Sequence, residues 1–201
     1  NYLNNGVFTM VVSAQSTLAN GCDPSKTFQV RNISNPSGGI SSPGGTQNLC
    51  IPTGAIAFTI TGWGGNSLDT VYDIDYGDGG TATYTQQQLI SASSNLTDPF
   101  PVLHEYTETS CPSTYDVTIN ITNACGSTPG SVGNIRILEE ATAAFAAPEV
   151  ECINTAVTFL NNSETGFGND CSTQIRYNWD YGDGSTSSVL STFPVNGMHT
   201  Y

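Results

Sequence analysis

The chain is 201 residues long and carries a net charge of −13, with 17 Asp and Glu against 4 Lys and Arg. Its firm cations, Lys26, Arg31, Arg136 and Arg176, cannot neutralise a row of phosphates, which excludes nucleic-acid binding; the acidic balance also argues against docking on anionic lipid. Only 10% of the residues are charged, so the polar surface is built from Ser, Thr, Asn and Gln, a composition that favours an extracellular all-β protein.

In chain order, residues 7–14 alternate, with Phe8, Met10, Val12 and Ala14 on one face. A turn over 20–24 leads to a second strand at 27–33, with Phe28 and Val30 inward, and then to a Gly/Ser/Pro-rich connection at 35–45. Strand 54–60 points Ile56, Phe58 and Ile60 inward. Tyr72-Asp73-Ile74-Asp75-Tyr76 is a half-buried strand that runs into Gly77-Asp78-Gly79-Gly80. There the glycines permit positive φ and the Asp carboxylate accepts backbone N–H bonds, which is hairpin-turn chemistry. Residues 84–101 read as a long irregular stretch, in which 85–89 comes nearest to a helix, about one turn. His104-Glu105-Tyr106 precedes the clearest strand, 115–122, with Tyr115, Val117, Ile119 and Ile121 inward, and 133–138 closes the unit with Ile135 and Ile137.

The pattern then restarts. Residues 152–159 echo 50–58, Tyr177-Asn178-Trp179-Asp180-Tyr181-Gly182-Asp183-Gly184 echoes the strand and turn at 72–79, and His199-Thr200-Tyr201 echoes His104-Glu105-Tyr106. The strands expected next after Tyr201 match those that open the chain. Three units are therefore expected: 1–36, the C-terminal strands of one domain; 37–140, a complete domain; and 141–201, the N-terminal part of a further domain. Head and tail complement one another, so the 201 residues are expected to be one period of a tandem array cut out of phase. The chain does not begin with Met and has no signal peptide or membrane-length apolar stretch, so it is expected to be an internal segment of a longer secreted protein.

Ile74-Asp75-Tyr76-Gly77-Asp78-Gly79 and Trp179-Asp180-Tyr181-Gly182-Asp183-Gly184 resemble the Trp-Asp-Phe-Gly-Asp-Gly signature of PKD (polycystic kidney disease) domains. The later His104-x-Tyr106 and the strand from Tyr115 to Asn123 follow in that family's order; Ile74 replaces Trp in the central copy. The resemblance implies tandem immunoglobulin-like, PKD-type β-sandwiches. Arrays with Asn-x-Cys-Gly turns, as in Asn123-Ala124-Cys125-Gly126, are similar to giant surface proteins of Bacteroidetes, including gliding-motility adhesins.

The candidate chemistry is thin. Asp73, Asp75 and Asp78, or Asp180 and Asp183, have the alternate spacing that suits a calcium ion, yet no bidentate Glu stands downstream. Turn-capping explains the same carboxylates, so no cofactor is assigned and calcium is kept as the alternative. His104 and His199 suit a repeated packing or hydrogen-bonding role, and no nucleophile–His–acid arrangement or phosphate loop points to catalysis. Trp63, in the Gly-rich stretch 61–65 and near Tyr84, suits either stacking on a sugar or, as the favoured reading, a lid on the end of the sandwich. Asp69-Thr70-Val71 is similar to the O-glycosylation acceptor of Bacteroidetes secreted proteins.

Six cysteines without Cys-x-x-Cys imply disulfides in an oxidising compartment. Placed on an immunoglobulin-type sandwich, Cys50 and Cys111 fall at one end and form the first-choice pair. Cys171 is matched with Cys22 of a following copy, which leaves Cys125 and Cys152 to bridge consecutive domains. Cys111–Cys125 is disfavoured because an eight-residue strand of roughly 26 Å separates them.

The expected function is that of a non-enzymatic stalk or filament segment of an extracellular, cell-surface adhesin. Its partners are neighbouring domains of the same polypeptide, surface polysaccharide or other filament copies, with no membrane insertion. The alternative is a PKD-type glycan- or protein-binding module, or a spacer, of a secreted hydrolase.

Overall fold

The computed structural model describes residues 6–15, 17, 24–44, 48–96, 99–168 and 170–201. It is all-β apart from one short helix, as the composition leads one to expect. Strands β1 (Gly6–Ser13) and β2 (Ser25–Asn32) form an antiparallel hairpin in which Met10 faces Phe28 and Val12 faces Lys26. Directly opposed residues share a face of the sheet, so Met10, Val12 and Phe28 lie together. That face stands in solvent, with Val12 62% and Phe28 61% exposed.

The central unit contains β3 (Gly39–Ser41), β4 (Leu49–Cys50), β5 (Ile56–Thr61), β6 (Val71–Asp75), β7 (Thr81–Thr85), helix α1 (Gln86–Ala92), β8 (Phe100–His104), β9 (Tyr115–Asn123), β10 (Gly126–Ile135) and β11 (Ile137–Leu138). One sheet has the order β3-β5-β8 and the other β10-β9-β6-β7, which is the A-B-E against G-F-C-C′ arrangement of an immunoglobulin-type sandwich. Between them Phe58, Ile60, Tyr72, Ile119, Ile121 and Ile137 are buried in one cluster. Each such side chain contributes about 1.5–3 kcal/mol on leaving water, so this unit owns a sizeable core.

Two elements run longer than the sequence suggests. Helix α1 gains a second turn from a capping box: the Thr85 side chain accepts from Gln88 N–H, and the Gln88 side chain accepts from Thr85 N–H. Strand β10 starts at Gly126 rather than 133, because Gly126 to Val132 pair in register with β9 despite Pro129. Pro129 is tolerated because β10 is an edge strand.

The C-terminal unit comprises β12 (Phe145–Ala146), β13 (Ala156–Asn161), β14 (Ile175–Asp180), β15 (Thr186–Ser191) and β16 (Gly197–Thr200), in sheets β12-β13-β16 and β14-β15. Its registers copy the central ones. Val157 faces His199 as Ile56 faces His104, Phe145 faces Asn161 as Ile40 faces Ile60, and Asp180 faces Thr186 as Asp75 faces Thr81. It is therefore an A-B-E sheet facing a C-C′ pair. Among the described residues no strand lies on the other edge of β14, where β9 lies against β6.

The junction between these units is not a free tether. Thr142 and Glu164 exchange backbone hydrogen bonds of 3.1 and 2.9 Å, and Phe167 N–H donates to the Glu139 carbonyl at 2.8 Å.

Candidate functional site

The repeated motif residues, scattered in sequence, converge on one clasp. In the central unit Asp75 Oδ1 accepts Gly77 N–H at 2.8 Å, and Asp78 Oδ1 accepts Gly80 N–H at 2.9 Å. These bonds fix a turn in which Gly77 and Gly79 have φ of 85° and 93°. The other oxygen of Asp78 meets His104 Nε2 at 2.7 Å. The His104 ring lies flat on Tyr76, with centroids 3.9 Å apart and planes 3° from parallel. Tyr106 then donates its hydroxyl to the Tyr76 carbonyl at 2.9 Å and stacks on Tyr115 at 5.0 Å. Strand β8 is thereby bound to the turn after β6, which ties the two sheets together.

The C-terminal unit repeats the clasp group by group. Asp180 caps Gly182 at 3.0 Å, Asp183 caps Ser185 at 2.9 Å and meets His199 at 2.8 Å, and Tyr201 donates to the Tyr181 carbonyl at 2.8 Å. His199 stacks on Tyr181 at 4.5 Å. Gly184 repeats the positive φ of Gly79, and Trp179, in the place of Ile74, stacks edge-on against Phe145. These carboxylate oxygens thus serve a backbone N–H or an imidazole, and Asp73 accepts from the Thr83 hydroxyl. Among the described residues no group of three or more His, Cys, Asp or Glu is placed to hold a metal ion.

Burial pushes the Tyr76 hydroxyl up to about 12, with Tyr84 and Asp78 adding to the effect, and it raises Tyr106 and Tyr115 as well. Tyr106 and Tyr115 therefore stay protonated, as their donation to the Tyr76 and Thr109 carbonyls requires. The Ser185 N–H, followed by the His199 hydrogen bond, holds Asp183 down at about 2 from an ordinary value of 3.8. A depressed carboxyl contributes stability that is present above its unfolded value and is lost as pH falls through the folded one. Asp183→Asn should therefore be less stable than the parent chain near neutral pH, with the two converging between pH 3.8 and about 2. Urea titrations at stepped pH measure the gap; a gap independent of pH would contradict the assignment.

A second constellation lies at the junction, where Cys111 and Cys171 are joined across 60 residues of sequence with Cα atoms 5.4 Å apart. This corrects the expected pairings. Cys50 cannot reach Cys111 because β11 runs between them: Leu138 pairs with Cys50 on one side, and the Ile137 carbonyl accepts Ser110 N–H on the other. Two strand spacings, about 9.5 Å, exceed the span of a disulfide. Cys171 is committed to Cys111 and is not available to Cys22, which lies outside the described residues. Cys50, Cys125 and Cys152 are free and exposed, and Cys125 sits at the far end of β9 from Cys111.

The sugar-stacking role considered for Trp63 is also corrected. Trp63 is 1% exposed, packed edge-on against Phe100, and its carbonyl accepts from Gln86 Nε2 at 3.2 Å. It closes the end of the sandwich beneath helix α1, whose Leu89 is buried in the same cluster. Thr70 is fully buried, so the Asp69-Thr70-Val71 resemblance marks no accessible hydroxyl. The polar network around Gln86 had no sequence signal: Asn66 Nδ2 donates to the Tyr72 hydroxyl at 2.7 Å, and that hydroxyl donates to Gln86 Oε1. Buried Gln86 and half-buried Asn66, brought together by a helix and a loop, leave no periodic trace.

The fold and clasp define an immunoglobulin-type sandwich carrying a repeated turn-to-strand lock. No protein family model matches the chain, and no curated protein matches it. Among solved structures, the chain is similar to the PKD domain from the human VPS10 domain-containing receptor SorCS2 at 22% identity, over 63% of this chain and 94% of that one, with a TM-score of 0.41.

Proposed function

We propose that this chain is one period of a tandem array of PKD-like sandwiches, forming a non-enzymatic stalk or filament segment of an extracellular bacterial surface adhesin. The observation that carries the reading is the recurrence of one clasp and one set of strand registers in two units linked across their junction by Cys111–Cys171. A repeated clasp suits a load-bearing spacer, since every unit then resists separation of its sheets in the same way. The bridge, and the absence among the described residues of a helix long and apolar enough to cross a membrane, are consistent with an extracellular setting. The partners are neighbouring units of the same polypeptide, with polysaccharide or other filament copies met elsewhere along it.

Pulling a polypeptide of several copies end to end tests this. The bridge shields 60 residues, and at about 3.3–3.6 Å per residue its reduction should lengthen the unfolded contour by about 200 Å per copy. Discrete unfolding steps with that redox-dependent increment are expected. Smooth extension without steps would contradict a load-bearing role.

A further inference from the structure

The hairpin β1–β2 and the C-terminal unit each carry an apolar face that the central unit, in the same positions, covers. In the central unit β9 pairs along β6, from Val71↔Thr122 to Asp75↔Thr118, and β9 with β10 inserts Val117, Ile119, Ile121 and Ile135 into the core, all buried. Beside β14, the counterpart of β6, there is instead a groove of about 590 Å³ lined by Phe145, Phe159, Trp179, Tyr181 and Tyr201. The same residue type registers the difference. A Cβ on Gly77 would lie 2.8 Å from the Asp116 carbonyl oxygen of β9, whereas one on the equivalent Gly182 would meet nothing within 4 Å. Tyr106 is 0% and its counterpart Tyr201 51% exposed. At the other end of the chain, β1–β2 is an antiparallel hairpin like β9–β10, with Met10, Val12 and Phe28 exposed on one face.

We infer that the groove takes the β1–β2 hairpin of a second copy of this chain, β1 adding antiparallel to the free edge of β14 and the Met10–Val12–Phe28 face closing over Phe159, Trp179 and Tyr181. The inference rests on the reading of the chain as one period of an array, and extends it to non-covalent assembly. An edge strand offers a row of unused N–H and C=O groups, and an added strand uses them while its alternate side chains fill the groove. Charge agrees: Lys26, opposite Val12, shares the docking face of the hairpin, while Glu164 and Asp180 outnumber Arg176 along the groove. Because hairpin and groove are different surfaces, the contact is heterologous and propagates head to tail into an open series of oligomers.

Sedimentation velocity on the full chain tests it, in a background of Cys22→Ser, Cys50→Ser, Cys125→Ser and Cys152→Ser that prevents thiol-linked aggregates. Species larger than the monomer should grow with concentration up to about 1 mM, where contacts with a millimolar Kd are populated. Met10→Asp with Val12→Asp removes the hairpin face, and Phe145→Asp removes one wall of the groove at a position 64% exposed, so neither touches the central core. Each variant alone should be monomeric. Mixed together they should form a one-to-one pair, because each retains the half that the other lacks. Acrylamide quenching of Trp179 should fall as the pair forms, while buried Trp63 stays unchanged. A chain that is monomeric throughout, a Phe145→Asp variant that associates like the parent, or a mixture that forms no pair would overturn the inference. A two-copy fusion with the first groove filled, alongside single copies that never associate, would overturn it while leaving the array reading intact.

Discussion

Replacing the junction bridge by Cys111→Ser with Cys171→Ser is expected to unfold the C-terminal unit while the central unit stays folded. With the central sandwich intact, the bridge closes the stretch from Glu139 to Cys171, a loop of about 30 residues, and loop-closure entropy assigns it about 4 kcal/mol. A folded unit of about 60 residues has a total stability of only about 3–9 kcal/mol. This unit lies at the low end, since Phe145, Leu160, Phe193 and Met198 are exposed. The loss is therefore comparable to everything holding the unit together. Calorimetry should resolve two transitions in the oxidised chain. On removing the bridge, the one reported by Trp179 should fall by on the order of 20 °C or vanish, while the one reported by Trp63 moves little. A shift of both by the same amount would mean that the two units unfold as one body and that the bridge is not what holds the second.

The second large effect is a contrast between equivalent residues. Tyr106→Ala should cost the central unit about 3–5 kcal/mol, because it empties a buried aromatic site and leaves the Tyr76 carbonyl without its donor. Tyr201→Ala removes the same hydroxyl bond to the Tyr181 carbonyl, but from a half-exposed ring whose surroundings remain wetted. About 1 kcal/mol is expected there, the net value of one hydrogen bond. Tyr106→Phe separates the two contributions: it keeps the ring and loses only the bond, at about 1–3 kcal/mol. Equal costs for Tyr106→Ala and Tyr201→Ala in denaturant titrations would show that the C-terminal unit is already as closed as the central one.

Much of this is written in the alternation and the turns. Tyr72, Ile74 and Tyr76, with Tyr177, Trp179 and Tyr181, mark the C strands because a pleated strand buries every second residue, and the Gly-Asp-Gly turns leave little conformational choice. The recurrence of His104-x-Tyr106 as His199-x-Tyr201 was visible as a spacing. Its reason was not, because the partners of His104 and Tyr106 lie 26 and 30 residues away, in the turn after β6. The disulfide was illegible for the same cause. Cys171 reaches Cys111 only because the loop around Glu164 and Phe167 folds back onto Glu139 and Thr142, a contact made by backbone groups that any residue supplies. For Trp63 the glycine-rich stretch leaves both a lid and an exposed platform open, with the lid favoured, and the packing beneath helix α1 decides for the lid. That helix is started by a reciprocal pair of side-chain bonds at Thr85 and Gln88 and held down by buried Gln86 and Leu89.

The central claim is that the hairpin at one end of this chain is the missing half of the sandwich at the other. Hydrogen exchange followed by NMR on a fusion of two copies, with only the first copy isotopically labelled, tests it most directly. In a single copy the β14 amides that face away from β15 belong to an open edge and exchange fast. In the fusion, β14 of the first copy should become as protected as β6, with Tyr201 of that copy losing its exposure, while β14 in the second copy stays open. Equal, fast exchange of β14 in the fusion and in the single copy would contradict the account.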